Sequence, residues 1–398
     1  MRIFSVVAEF NPFHNGHKYL VENARLMGAD CVAAVMSGSF VQRGGCAVMN
    51  KFARAKAAVL GGVDIVFELP SVFAVSAAEY FAFGGIRTLD VCGCVSDIVF
   101  GSECGDIGVL LAAANAVENS ERINADIKTH IQAGVSYPRA VYAAAGSADP
   151  NVQNALRSPN DTLAVEYLRS LGRLKSTITP HCVRREGAAH DSSDTEGQFA
   201  SASHIRKMIS EGNNDRRRFM PESTAEIVED ELSTQRCPGS LSNNERGVLT
   251  VLRSMDAERL CGLPEVSEGI ENRIVEAAKK STSIDELIEM IKCKRYTYAR
   301  INRIITNACL GTQADLVHGD VGYIRVLAFN STGREMLRMM KKTAKRPVLL
   351  TARDFGKLTG EARRMLMHDI QASDMYALCT PRISPCSSDY YTSALYIR

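Results

Sequence analysis

RIFSVVAEFNPFHNGHKYLVENARLMG, residues 2–28, decides how the first half of this chain is read. Residues 2–10 are a short, nearly continuous apolar run of strand type. Asn11-Pro12 breaks the run, and a helical pattern follows from Gly16 and closes at Gly28. The same alternation repeats downstream. CVAAVMSG (31–38), VDIVFELP (63–70) and VSDIVFGSE (95–103) read as strands, with helical stretches at 50–62 and 76–93 between them. Strands apolar on both faces and separated by helices predict a parallel sheet covered on both sides, of Rossmann-like type. In such sheets ligands lie beyond the carboxyl ends of the strands. The polar residues of the first hundred positions gather there, at Asn11–His17, Ser37–Gly44, Glu68–Pro70 and Gly101–Glu103.

The turn carries chemistry of its own. A helix starting near Gly16 offers free backbone N–H groups and a positive dipole end, a natural phosphate site. Gly16 leaves room for a base or ribose against the backbone. His14 and His17 face the same side and can donate hydrogen bonds to oxygens that gain charge when an α-phosphate is attacked. No G-x-x-x-x-G-K-[ST] occurs, so the usual γ-phosphate cradle is absent. A second helix start lies at Ser201-Ala-Ser203-His-Ile-Arg206, where a serine caps the helix and Arg206 adds charge. The pair, an H-x-G-H turn early and S-x-[ST]-x-I-R late, resembles the adenylyl-transferring superfamily that includes class I aminoacyl-tRNA synthetases.

The 398 residues are too many for one core, and two domains are expected: 1–212, a nucleotide-binding catalytic domain, and 213–398, mostly helical. Residues 216–233, 241–255, 267–280, 283–293, 297–311 and 331–342 carry helical periodicity. Residues 187–200, small and polar, suit a mobile loop. The net charge is only +2, yet residues 290–346 hold twelve basic side chains against three acids. That excess is what a polyanion partner needs, although a solvated helix face would also account for it. Tyr296 and Tyr298 offer stacking surfaces among Lys294, Arg295 and Arg300, with helix packing the plainer role. Lys18, Lys51 and Arg54 read as solvated helix-face charges, whereas Arg43, beyond a strand end with Ser39, is a candidate contact for an acid substrate or pyrophosphate. Twelve scattered cysteines without a C-x-x-C pair read as reduced thiols and not as a zinc site, and no metal ligand set is expected. No apolar stretch reaches membrane-spanning length and no leader pattern opens the chain, so a cytoplasmic location is expected, with no protein partner evident.

Six strings, AEFNPFHNGH, MSGSFVQRG, IVFELP, VFGSE, SPNDTLAVEYL and YIRVLAFNSTGREML, jointly resemble the bacterial tRNA(Met) cytidine acetate ligase family over nearly the whole chain. The resemblance implies activation of acetate with ATP, Mg²⁺ accompanying the nucleotide, and delivery of the acetyl group to N4 of the wobble cytidine in the anticodon loop of elongator tRNA(Met). It implies an ATP-binding loop comprising Val7, Ala8, Glu9, Phe10, Asn11, Pro12, Phe13, Asn15, Gly16, Lys18 and Leu20 around His14 and His17. It adds Gly101, Asn160 and Arg185 as ATP contacts, and Ser201, Ser203 and Arg206 as a second phosphate clamp. The family's usual Q-R-G-E-P-A-x-x-D-K stands here as Gln42 to Lys51 with Gly45, Cys46 and Asn50 in place of the acid, the proline and the aspartate, which puts the choice of acid in question. Competing readings are another adenylyl-transferring enzyme acting on a small molecule or carrier thiol, and a non-catalytic RNA-binding protein.

Overall fold

A computed structural model describes residues 1–135, 137–146, 152–153, 156–185 and 197–398. The expected loop at 187–200 falls largely outside them. Eight strands form one sheet in the order β5-β4-β1-β2-β3-β6-β7, with β8 also on β6. The first five are β1 (Ile3–Ala8), β2 (Cys31–Ser37), β3 (Ile65–Leu69), β4 (Asp97–Ser102) and β5 (Thr179–Arg184), and all pair in parallel. β2 and β3 are buried along their whole length. Their alternate residues feed two cores: Ala33, Val35 and Phe67 on one face, Val32, Ala34 and Val66 on the other. This double burial is why these strands read as unbroken apolar runs.

The chain leaves β1 toward β2 and β3, then returns to place β4 and β5 on β1's other side. That reversal opens a crevice at the carboxyl ends of β1 and β4, bounded by helix α1 (Asn15–Leu26). Helix α2 (Lys51–Leu60) covers the same face as α1, while the Ala78–Cys92 and Pro159–Leu174 helices cover the opposite face.

Residues 213–398 are mostly helical, but the expected boundary at 212/213 is not an edge of the sheet. β6 (Ile324–Phe329) runs antiparallel to β3, with Ile65 opposite Phe329 and Glu68 opposite Arg325. β7 (Val348–Leu349) and β8 (Leu395–Tyr396) both pair along β6. A run of four apolar residues after Arg325 fits a buried strand or a helix segment equally well by periodicity, so YIRVLAF carries no strand signal of its own. The helices from Glu245 to Leu310 do enclose a separate core, including Leu252, Ile274, Leu287 and Ile304.

Lys51 and Arg54 are not solvated, contrary to expectation; both are buried. Lys51 Nζ lies 2.8 Å from Glu68 and 2.9 Å from Asp389, and Arg325 contacts the same two carboxylates at 3.3 and 3.0 Å. The cluster joins α2, β3, β6 and the C-terminal segment. Its carboxylate at Asp389 lies 338 positions from Lys51, out of reach of local pattern reading. Arg54 donates to the carbonyls of Met49, Glu9, Ser37 and Gly38, fastening the carboxyl ends of β1 and β2 together.

Candidate nucleotide-binding site

A cavity of about 300 Å³ opens in the crevice, lined by the ends of β1, β4 and β5 and by the N-termini of α1 and the Ala202–Ser210 helix. The α1 turn is built from its histidines. His14 is the N-cap, and its Nδ1 accepts the Gly16 N–H at 3.1 Å. His17 Nδ1 accepts the His14 N–H at 3.3 Å, completing a capping box made of two imidazoles. The rings stack with centroids 3.8 Å apart, and the Phe10 ring meets His17 edge-on. A Cβ on Gly16 would sit 2.9 Å from His14 Cε1, so the glycine is required by the His14 ring itself.

This geometry fixes the protonation. Burial, with Arg185 and Arg206 nearby, pulls the His14 pKa down to about 3. Burial, His14 and Arg185 hold His17 well below the usual range. Both rings are neutral at physiological pH. Because each Nδ1 accepts, each proton resides on Nε2, and each ring offers one N–H donor.

The second helix start faces the first. Ser201 caps it by accepting the His204 N–H at 3.2 Å, and its hydroxyl is 3.0 Å from that of Ser203. Arg206 donates to the Asn11 carbonyl at 3.0 Å, tying the two turns together. On the third side Glu103 accepts from Asn160 at 2.5 Å and Ser158 at 2.7 Å, and pairs with Arg185 at 3.5 Å. Asp161 accepts from the Ser102 hydroxyl and the Glu103 N–H, locking the SPND helix start onto the end of β4. Gly101 permits Arg185 to pass, since a Cβ would lie 3.2 Å from Arg185 Cγ.

The cavity thus gathers His14, His17, Val7, Ala8, Glu9, Asn11, Gly16, Leu20, Gly101, Asn160, Arg185, Ser201, Ser203, Arg206 and Arg43. Other expected residues lie elsewhere. Phe10 and Phe13 pack in the core below the turn, and Pro12 follows a cis bond from Asn11 outside the lining. Asn15 faces outward and donates to the Gln198 and Arg218 carbonyls. Lys18 pairs with Glu22 on the surface, as expected of a helix-face charge. Ser39 is buried 3.4 Å from the Ser373 hydroxyl.

Lys294, Arg295 and Arg300 belong to the helical module, away from the cavity. Five of the twelve basic residues in 290–346 are in ion pairs: Arg300 with Glu268, Arg303 with Glu265, Arg325 with Glu68 and Asp389, Lys345 with Asp90 and Arg346 with Asp320. The local excess of charge is therefore smaller in space than along the chain. Tyr296 packs inside the module with its hydroxyl on the Glu268 carbonyl, whereas Tyr298 is half exposed under Lys292.

Sequence reading missed Gln42, Arg184 and the apolar wall formed by Ala78, Phe81, Phe100, Leu163 and Tyr167. Arg184 sits in the same Arg-Arg-Glu string as Arg185, and Gln42 precedes Arg43, so proximity could have flagged both. The wall comes from two helices on the far side of the sheet, with Phe100 from β4, and leaves no local signal. Among the described residues no group of three metal-ligating side chains exists, all twelve cysteines are free, and no helix is long and apolar enough to cross a membrane.

Comparison with known proteins adds to this geometry. The model of the HIGH Nucleotidyl Transferase family matches residues 1–389. The tRNA(Met) cytidine acetate ligase of Fervidobacterium nodosum is 37% identical, covering 96% of this chain and 95% of its own length. That of Acetivibrio thermocellus is 38% identical, covering 95% of each. The crystal structure of Thermotoga maritima TmcAL bound with alpha-thio ATP superposes with a TM-score of 0.93 at 32% identity, covering all of both chains.

Proposed function

We propose a function from the premise that this chain belongs to the HIGH nucleotidyl transferase family and, within it, to the tRNA(Met) cytidine acetate ligases. The chain is an ATP-dependent ligase. Our reading is that it forms acetyl-adenylate from acetate and ATP, releasing pyrophosphate. It then transfers the acetyl group to N4 of the wobble cytidine of elongator tRNA(Met), in the cytoplasm. The observation that carries the reading is the convergence of two capped helix N-termini, two neutral imidazoles and Arg206 on one cavity.

In the first step a carboxylate oxygen of acetate attacks the α-phosphorus, the bond from that phosphorus to the α,β-bridging oxygen breaks, and pyrophosphate leaves with its electron pair. The Nε2–H groups of His14 and His17 donate to α-phosphate oxygens as charge builds, while Arg206 and Arg185 hold the departing pyrophosphate. Neutral donors suit this role: they stabilise charge in the transition state without clamping the product as a fixed cation would. Among the described residues the cavity's protein side offers Arg43, Arg184, Arg185 and Arg206 and a single carboxylate, a donor set that does not fit a protein-held divalent ion. Mg²⁺ would therefore be carried by the phosphate oxygens. In the second step the amine of an unstacked anticodon base attacks the acetyl carbonyl, and the helical module holds the tRNA.

Single-turnover transfer of labelled acetate to purified elongator tRNA(Met), with wild type and His17→Ala, tests this. Label on cytidine that falls about 10²–10³-fold in the variant is expected for loss of one such donor. Labelled adenylate without labelled tRNA would redirect the search to another acceptor, and no acetyl-adenylate at all would overturn the reading.

A further inference from the structure

Glu9 is the one carboxylate among the described residues that line a cavity otherwise furnished with arginines, imidazoles, hydroxyls and apolar side chains. A carboxylate there repels a triphosphate, so contact with the phosphates gives no reason for it. Its position is nonetheless closely built. Gln42 N–H donates to Glu9 Oε1 at 3.0 Å, and Arg54 donates to the Glu9 carbonyl at 2.7 Å. Gln42 in turn is held by Arg303, which donates to its carbonyl at 3.3 Å and pairs with Glu265 of the helical module at 2.6 Å. On the strand side Tyr167, from the apolar wall, reaches the Val7 carbonyl at 3.5 Å, and Gln42 Nε2 reaches the Ser76 carbonyl at 3.2 Å, just before the Ala78–Cys92 helix. Glu9 therefore stands where the phosphate-binding side of the cavity meets a wall of Ala78, Phe81 and Tyr167 suited to a flat, uncharged base.

Resting on the functional reading above, we propose that Glu9 is the general base of the acetyl-transfer step, accepting the proton of the attacking cytosine amine. The exocyclic amine of cytosine is a poor nucleophile because its lone pair is delocalised into the ring, so losing a proton as it attacks is what makes the step feasible. The N4 lone pair forms the bond to the acetyl carbonyl carbon. The bond from that carbon to the phosphate oxygen then breaks with its electron pair, and AMP leaves. One N4 proton passes to a Glu9 oxygen and from there to solvent. AMP is a weakly basic leaving group and needs no proton, so the step balances with Glu9 alone.

The test separates the two steps. Enzyme carrying preformed, labelled acetyl-adenylate is mixed with elongator tRNA(Met) in a quench-flow instrument, and adenylate formation is timed separately. Glu9→Gln keeps the volume and the acceptor for Gln42 N–H but cannot take a proton. The expected result is a transfer rate down by about 10²-fold or more, with a clearly smaller effect on adenylate formation. Transfer that keeps pace with wild type, or both steps slowed equally, would overturn the assignment. If wild type itself makes adenylate and acetylates no tRNA, the functional reading fails instead. Should Glu9→Gln not fold, Glu9→Asp, one methylene shorter, carries the same comparison: transfer slowed more than adenylation supports the base, and equal slowing refutes it.

Discussion

Replacing His14 by Asn should make the protein less sensitive to acid, by an amount the site sets. Folded His14 titrates at about 3, against about 6.5 for an exposed histidine. Between those values the unfolded chain binds a proton that the folded chain refuses. Stability that is complete above about pH 6.5 is therefore lost as the pH falls, at about 1.4 kcal/mol per unit. From pH 7.5 to 4.5 the wild type crosses about two units of that window and loses about 2.7 kcal/mol from this one ring. Asn is among the best N-cap residues and can still accept the Gly16 N–H, so the helix start survives while the titration disappears. Thermal midpoints of both proteins at both pH values give a difference of differences in which contributions common to both, such as buried His368, cancel. At about 2 °C per kcal/mol for a chain this large, the wild type should drop about 5 °C further than the variant. Equal drops, within a degree, would mean that His14 titrates like an exposed residue. His14 would then not serve the site as a neutral Nε2–H donor.

Lys51→Met should leave Glu68 and Asp389 sharing one buried cation and cost about 3–5 kcal/mol, seen as a lowered unfolding midpoint; Lys51→Met with Glu68→Gln should recover part of that loss. Gly44→Ala places a Cβ 2.3 Å from the Arg303 backbone nitrogen at φ +74°, so the loop must part from the helical module, and transfer to tRNA should fall more than adenylate formation in separate assays. Asn160→Ala should weaken ATP binding by about 1–2 kcal/mol, about tenfold in Kd by titration calorimetry, and an unchanged Kd would remove Asn160 from the nucleotide site. With five of the twelve basic side chains of residues 290–346 in ion pairs, the slope of log affinity for tRNA against log salt should be no steeper than about −5 if the tRNA is held by that span alone; a steeper slope would mean that tRNA breaks those pairs or reaches basic side chains outside the span.

The parts of this molecule that sequence reveals are those whose causes are local. β1 to β4 were legible because burial on both faces writes an unbroken apolar run. The α1 turn was legible because a capped helix start and a glycine must be contiguous. Contacts across the chain were not. Arg54 looks like an exposed helix charge until four carbonyls from Glu9 to Met49 are folded around it. β6 is a strand because β3 has an open edge to pair with, a fact held 260 residues away. Gly16 reads as room for a ligand, and it does line the cavity, but the neighbouring His14 ring is a second steric reason for it that only the folded turn shows. Glu9 was visible as one member of a binding loop, but its isolation among cations becomes apparent only when the cavity's other walls are in place.

The same distinction bears on the substituted loop at Gly45, Cys46 and Asn50. None of the three lines the cavity. Asn50 caps α2 by accepting the Ala53 N–H at 2.9 Å, a task the usual aspartate performs equally well. Its amide also donates to Glu231 at 3.1 Å, where an aspartate would set two carboxylates against each other. Asparagine is the residue this neighbour calls for. Cys46 sits in the small cluster with Phe40 and Tyr376, outside the cavity lining, and Gly45 faces open space at φ +124°, a conformation glycine accepts without strain. The loop residues that do reach the cavity are Gln42 and Arg43. On the function proposed above, discrimination among acids falls to Arg43 and to the part of the apolar wall not given to the base, Phe100 and Leu163. Exchanging Gly45 and Cys46 for the family's acid and proline should leave the preference for acetate over larger acids unchanged, whereas Leu163→Ala should weaken it; a preference that followed the Gly45-Cys46 exchange would show that the loop acts on the acid from outside the cavity.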